Sequence, residues 1–347
     1  MKIDYFIVGL GLAGVAFCEQ LRKANKTFLV FDNASQQSSI VAAGMYNPVI
    51  LKRFTEVWMA DEQLALALPY YKELEELLRV KLDYKLKLYR KFASVEEQNT
   101  WFTATDKPKL ESYMSTKLVP NDGDHIDAPF NLGEVFHAGR VDTAALITNY
   151  KDYLESQSQL ITDGFHYEDL QINSSTLHYK NHEANHIVFC EGFGLKQNPF
   201  FKYLPLNGTK GEVLGINAPD LKISYAIKSA VFIMPITNDD YYIGATYNRF
   251  DKTNSPTEAG KTELITKLKT FLTAPFTITS HKAGIRPTTN DRRPLVGTHA
   301  IYKNLHVLNG LGSRGVMIAP YAAEQLFNWI ENKQALNPDI SISRFPI

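Results

Sequence analysis

"KIDYFIVGLGLAGVAFCEQLRKANKTFLVFD" (Lys2–Asp32) decides the fold. Residues 3–8 are apolar enough to form a short buried strand. Gly9-Leu10-Gly11-Leu12-Ala13-Gly14 follows at once and fits GxGxxG. Residues 13–24 then carry Val15, Ala16, Leu21 and Ala24 at helical spacing, and residues 27–31 form a second apolar strand ended by Asp32. The three glycines serve separate physical ends. Gly9 permits the tight turn, Gly11 lets backbone approach a pyrophosphate, and Gly14 lets helix and strand pack closely. The helix N-terminus adds unpaired N–H groups and the positive end of a dipole. An acid at the end of the second strand, here Asp32, accepts from ribose hydroxyls. Strand, glycines, helix, strand and acid within one ~30-residue unit predict a dinucleotide site rather than a glycine-rich turn without a ligand. The unit alone does not choose between FAD and NAD.

Composition sets the outer limits. The 347 residues are 44% hydrophobic and 21% charged, enough for two domains sharing a boundary. Lys+Arg 37 against Asp+Glu 37 leaves no global field for nucleic acid or an anionic membrane. Cys18 and Cys190 are too few for a disulfide framework, and the nine histidines show no ligand spacing, so no metal site is expected. No apolar run approaches the roughly 18 residues that span a bilayer. Asp4 precedes the first apolar run and glycines punctuate it, which is unlike an export signal. A cytoplasmic protein is expected.

Further along, residues 56–79 and 142–156 read as amphipathic helices, the second capped by Asp142. "VKLDYKLKLYRKF" (80–92) alternates in period two, with Leu82, Tyr84, Leu86 and Leu88 facing one way. Strand-like runs recur at 186–190, 211–216, 231–236, 241–246 and 305–308, and helical patterns at 258–272 and 316–331. The fold class predicted is α/β: a Rossmann-type nucleotide-binding domain with an inserted, mainly antiparallel β-sheet (α+β) substrate domain. The expected division gives 1–80, 140–205 and 284–347 to the first and 81–139 and 206–283 to the second.

Four more segments complete the pattern: "AAGMYNP" (42–48), "HIVFCEGFG" (186–194), "AGIRPTTNDRRPLVG" (283–297) and "LHVLNGLGSRGVMIAP" (305–320). With the N-terminal unit, they resemble the D-amino-acid oxidase and glycine oxidase superfamily of FAD-dependent oxidoreductases, in the right order and over nearly the whole chain. "GLGSRG" before "AP", and "AGIR" before "TTND" and "PLVG", look most like the flavin domain of the bifunctional enzymes that mature 5-methylaminomethyl-2-thiouridine in tRNA. That branch carries a methyltransferase domain in front, whereas this sequence starts at the flavin fold.

The resemblance implies FAD, held non-covalently because no cysteine lies near the 283–315 motifs. It implies a glycine-like or N-substituted amino acid whose C–N bond is oxidised by hydride transfer to flavin N5. The same chemistry on the carboxymethylaminomethyl group of wobble uridine makes tRNA a second partner class. A nicotinamide dehydrogenase and a non-catalytic flavoprotein or tRNA-binding scaffold are the competing classes. By resemblance, Ala43 and Gly44 lie by the pyrophosphate and ribityl chain, where a bulkier side chain would block backbone approach. Gly192 and Gly194 form a second glycine turn against the cofactor or a merely structural one. Gly312, Ser313, Arg314, Gly315 and Val316 present N–H groups and a helix dipole to the flavin pyrimidine edge. Arg314 adds charge there, although glycine oxidases carry their arginine one position earlier.

Arg286 is the expected substrate residue: a guanidinium fork matches a carboxylate bidentately. The structural alternative pairs it with Asp291, while Arg292 and Arg293 are expected in a solvated turn. Lys81, Lys85, Lys87, Arg90 and Lys91 read either as a phosphate-binding face for tRNA or, favoured by the neutral net charge, as protection of an exposed edge strand. No oligomeric state follows from the sequence.

Overall fold

The computed structural model describes residues 2–121, 125–173 and 176–345. The first strand, β1 (Lys2–Val8), is buried along nearly its whole length, as a strand covered on both faces requires. It pairs in parallel with β2 (Phe28–Phe31) on one side and with His182–Phe189 on the other. Helix α1 (Leu12–Lys23) makes the crossover between β1 and β2. Leu160–Ile161 continues the sheet beyond β2, and Leu305–Asn309 runs parallel to His182–Phe189. The result is a five-stranded parallel core with antiparallel additions, among them Leu295–Thr298. Helix α1, the helix Ala60–Leu78 and the helix Gly315–Glu331 bury Leu21, Leu74 and Leu326 in one core. Phe6, Phe31, Phe189 and Phe201 fill a second.

The other large sheet has eight strands. In spatial order they are Thr277–Thr289, Leu206–Asn217, Asp240–Gly244, Phe232–Pro235, Ala226–Lys228, Leu88–Lys91, Leu132–Val135 and Met114–Val119. All neighbours are antiparallel except Ala226–Lys228 against Leu88–Lys91. Period-two alternation sends Leu214, Ile216, Ile233 and Ile243 into a core beneath the helix Glu258–Leu268. The opposite face looks onto the nucleotide-binding unit: the Tyr242 hydroxyl donates to the Val41 carbonyl at 2.9 Å. The architecture is the expected one.

Several details differ from the expectations. Residues 80–92 are not one strand: Asp83–Lys85 joins a small sheet with Gly139–Val141, and Leu88–Lys91 joins the eight-stranded sheet. The alternation continues through the break, so the pattern could not reveal it. Tyr84 accordingly lies 41% exposed beneath the Arg140 guanidinium instead of beside buried Leu82. Leu88–Lys91 has partners on both sides and is no edge strand. Lys81, Lys85 and Arg90 pair with Glu75, Asp83 and Glu97, which removes much of the charge offered to a phosphate chain. The strand Thr277–Thr289 runs unbroken through the expected division at 283/284, carrying Arg286 as part of the second sheet. The first long helix starts at Ala60 because Thr55–Glu56 pairs with Val49–Ile50.

Candidate active site

A cavity of about 590 Å³ opens between the two sheets, lined from Val8 to Met317. One end is the first glycine turn. Helix α1 is preceded by Gly11 and has no acid in its first turn; the Ser39 hydroxyl accepts from the Leu12 N–H at 3.1 Å, so the dipole faces the cavity without a counter-charge. A Cβ on Gly14 would stand 2.1 Å from the Gly9 carbonyl oxygen, and one on Gly9 2.6 Å from that of Cys190. These two glycines are demanded by the packing of strand against helix and strand against strand. A Cβ on Gly11 would meet only Ser39, its Oγ at 3.0 Å. Gly11 is therefore the one whose missing side chain leaves room for a ligand. The Asp32 carboxylate accepts from the backbone N–H of Leu10 at 3.1 Å and of Ala34 at 3.3 Å, which anchors it at the cavity wall.

Ala43 and Gly44 line the cavity as expected, but the reason for Gly44 is different. Its φ is +70° and a Cβ would fall 1.8 Å from the Val141 carbonyl oxygen, so the fold itself excludes a side chain there. Gly192 and Gly194 line the same wall; Gly192 has φ +55° and nothing nearer than Gln36 at 3.9 Å. Beside them Glu191 is buried, accepting from the Tyr167 hydroxyl and from Asn198 Nδ2. Burial pushes its carboxyl up to about 7. Tyr167, Phe165 and Glu191 carry no mark in the sequence, where "CEG" reads only as a strand end.

At the other end, Gly312, Ser313, Arg314, Gly315 and Val316 all line the cavity. The helix Gly315–Glu331 begins here without a side-chain cap or an acid in its first turn. The Gly312 N–H, however, donates to the Pro287 carbonyl at 2.9 Å, so this donor is not available to a ligand. Arg314 is the N-cap residue, and burial pushes its guanidinium down to about 10. Arg286 is half-buried, with Nη1 donating to the Thr246 carbonyl at 3.3 Å. Asp291 is not its partner: that carboxylate takes Arg344 at 3.0 Å and the Arg293 N–H. Arg292 is exposed, whereas Arg293 stacks on Trp58 and is not simply solvated. Among the described residues, neither Arg286 nor Arg314 has a carboxylate within ion-pair distance.

Phe232, Tyr242, Thr246, Tyr247 and Lys228 complete this end. The sequence places them on strands without marking them, because only the strand register turns them toward one cavity. Both sides suit a long, anionic, partly aromatic cofactor: two helix N-termini with no acid in the first turn, open glycines at 11, 192 and 312, and half-buried cations lacking counter-charges among the described residues. Cys190 lines the wall beside the first glycine turn, and burial among apolar neighbours raises its thiol well above the usual range. Among the described residues no cluster of His, Cys, Asp and Glu could hold a metal ion, and no helix is long and apolar enough to cross a membrane.

Comparison with known proteins agrees with this geometry. The family described as DAO, FAD dependent oxidoreductase, matches residues 4–329. Glycine oxidase of Bacillus subtilis (strain 168) is 24% identical over 363 residues, covering 96% of this chain and 95% of that protein. The tRNA 5-methylaminomethyl-2-thiouridine biosynthesis bifunctional protein of Idiomarina loihiensis is 28% identical over 155 residues, 41% of this chain and 25% of that one. The crystal structure of iminodiacetate oxidase from Chelativorans sp. superposes with a TM-score of 0.77 at 18% identity, covering 99% of this chain and 98% of that one. The chain belongs to the DAO family of FAD-dependent oxidoreductases.

Proposed function

We propose that this FAD-dependent oxidoreductase oxidises the C–N bond of a glycine-like or N-substituted amino acid. The observation that carries the reading is Arg286, a half-buried guanidinium on the cavity wall with no acid to neutralise it among the described residues. A cation so placed has lost much of its hydration, and a ligand carboxylate restores the counter-charge bidentately. FAD, when bound, would supply the two-electron oxidation as the hydride acceptor. The chain's own residues position the substrate. Arg286 fixes the carboxylate end; the Tyr242 hydroxyl, donating to the Val41 carbonyl, ties the second sheet to the short helix Ser38–Val41. Phe232 and Val213 present apolar surface that excludes water from the reacting carbon. FAD would be held without a covalent bond along Gly9, Gly11, Asp32, Ala43, Gly44, Gly192 and Gly194, and from Gly312 to Val316, with Gly14 serving the strand–helix packing behind them. Arg314 adds positive charge at the helix N-terminus.

The test is anaerobic mixing of the yellow holoprotein with glycine, sarcosine, D-alanine, proline and tRNA bearing the carboxymethylaminomethyl group. Bleaching by an amino acid that Arg286→Ala weakens far more than it weakens FAD retention supports the reading. Equal losses of both, or no bleaching by any amine, overturn it. The tRNA substrate is a second reading, favoured by the partial likeness to the tRNA-modifying protein, and bleaching by tRNA alone would select it. Denaturation should release free FAD.

A further inference from the structure

The substrate end of the cavity holds a third cation that the carboxylate clamp does not use. Lys228 lines it. Its Nζ lies 4.8 Å from the Phe232 ring centroid and 3.4 Å from the Ala230 carbonyl, and among the described residues no carboxylate is within ion-pair distance. The charged groups nearest to it are the cations Arg90 and Lys267, which are already paired with Glu97 and Glu263.

Strand register puts this lysine opposite the clamp. Residues directly across an antiparallel pair share a face. Arg286 pairs with Thr209, and Gly211 with Gly284; Val213 pairs with Gly244, Gly244 with Phe232, and Phe232 with Lys228. All of these lie on the one face that lines the cavity. The Arg286 guanidinium lies over Gly211 and the Lys228 ammonium over Phe232. Those supports are two strand spacings apart across the sheet and two residues apart along it, about 12 Å in all. Between them the wall is Val213, Gly244 and the Phe232 ring, with no acidic side chain.

We infer that Lys228 binds a second anionic group of the substrate, so that the enzyme takes a small secondary amine with a carboxylate at each end, one on Arg286 and the other on Lys228. The inference rests on the amine-oxidase reading above for its substrate chemistry but not for the binding site itself. A lysine that only rests its stem on Phe232 would not discriminate between mono- and dianions. Desolvation, which brings the ammonium down to about 8, gives an arriving anion a large electrostatic return.

The holoenzyme is titrated anaerobically with thiodiacetate and with (methylthio)acetate, two unoxidisable thioethers carrying two and one carboxylates, and the flavin spectrum reports binding. The wild type should prefer the diacid by about tenfold or more, and Lys228→Met should cut that preference by a similar factor while Lys228→Arg keeps most of it. No preference in the wild type, or a preference untouched by Lys228→Met, overturns the inference. In a second arm iminodiacetate and sarcosine replace the thioethers. If the thioether pattern holds but no amine bleaches the flavin, the oxidase reading fails and the dianion site stands. If sarcosine bleaches the flavin and Lys228→Met leaves the diacid-to-monoacid ratio unchanged, the dianion site fails alone. Lys228-dependent bleaching by carboxymethylaminomethyl tRNA, with no response to either diacid, overturns the small-molecule assignment.

Discussion

Arg286 lies flat against Gly211 of the neighbouring strand: a Cβ built on Gly211 would stand 2.1 Å from the guanidinium Nη2. The missing side chain is what lets the fork lie low over the sheet and reach the Thr246 carbonyl. Gly211 has an ordinary φ, so Gly211→Ala leaves the backbone unstrained and lifts the guanidinium instead. Carboxylate substrates should bind about 10- to 100-fold more weakly, the loss expected when a charged hydrogen bond is misplaced. The absorbance ratio of FAD to protein should not change, and KM for the best amino acid measures the effect.

The glycines of the first turn separate by what their hydrogens face. Gly14→Ala drives a methyl into the Gly9 carbonyl and should cost about 1–3 kcal/mol of stability as well as FAD, because strand and helix must part. Gly11→Ala meets only the Ser39 side chain. It should melt within about 1 kcal/mol of the wild type, yet retain much less FAD. Calorimetry of the apoproteins, beside the flavin content as purified, distinguishes the two.

Glu191 gives the fold a pH dependence. Burial raises its carboxyl from 4.5 to about 7. Between those values the native chain keeps a proton that the unfolded chain has released, so stability falls as pH rises through this window and is lowest above it. Glu191→Gln keeps the neutral shape and an acceptor for Tyr167. From about pH 5 to about pH 8 the wild type should lose about 3 kcal/mol relative to this variant, read as diverging melting temperatures.

Lys210 is buried completely, with Asp251, the Ser255 carbonyl and Glu212 around its ammonium. It fastens the segment 247–257, whose Tyr247 lines the substrate end of the cavity. Lys210→Met leaves the Asp251 carboxylate without its cation and leaves Glu212, which is 4% exposed, with only His281 and Thr257 as partners. A loss of about 3–5 kcal/mol is expected. Limited proteolysis should then cut first within 247–257.

The sequence is most readable where one short segment contains a whole physical device. Lys2–Asp32 is such a segment: the strand, glycines, helix and acid predicted from it are all present, with α1 starting at Leu12. The last loop and its helix are equally visible, since glycines followed by an apolar helix need no distant partner to be recognised. What stays hidden depends on neighbours far along the chain. Nothing in "YAIKSAVFIMP" marks Lys228; four strand pairings are needed to bring it to the face of Arg286. The break at Leu86 and Lys87 is invisible because both short strands keep the same alternation while joining different sheets. Gly44 stands out in the sequence as a site of close approach, yet what approaches it is the Val141 carbonyl, nearly a hundred residues away.

The cavity wall runs from Val8 to Met317, and the closing helix carries Arg314 at its tip. During synthesis, some three hundred residues must therefore follow the first glycine turn out of the ribosome before the dinucleotide finds both halves of its seat. Flavin capture belongs to the final stage of maturation, and a chain stalled earlier would emerge colourless.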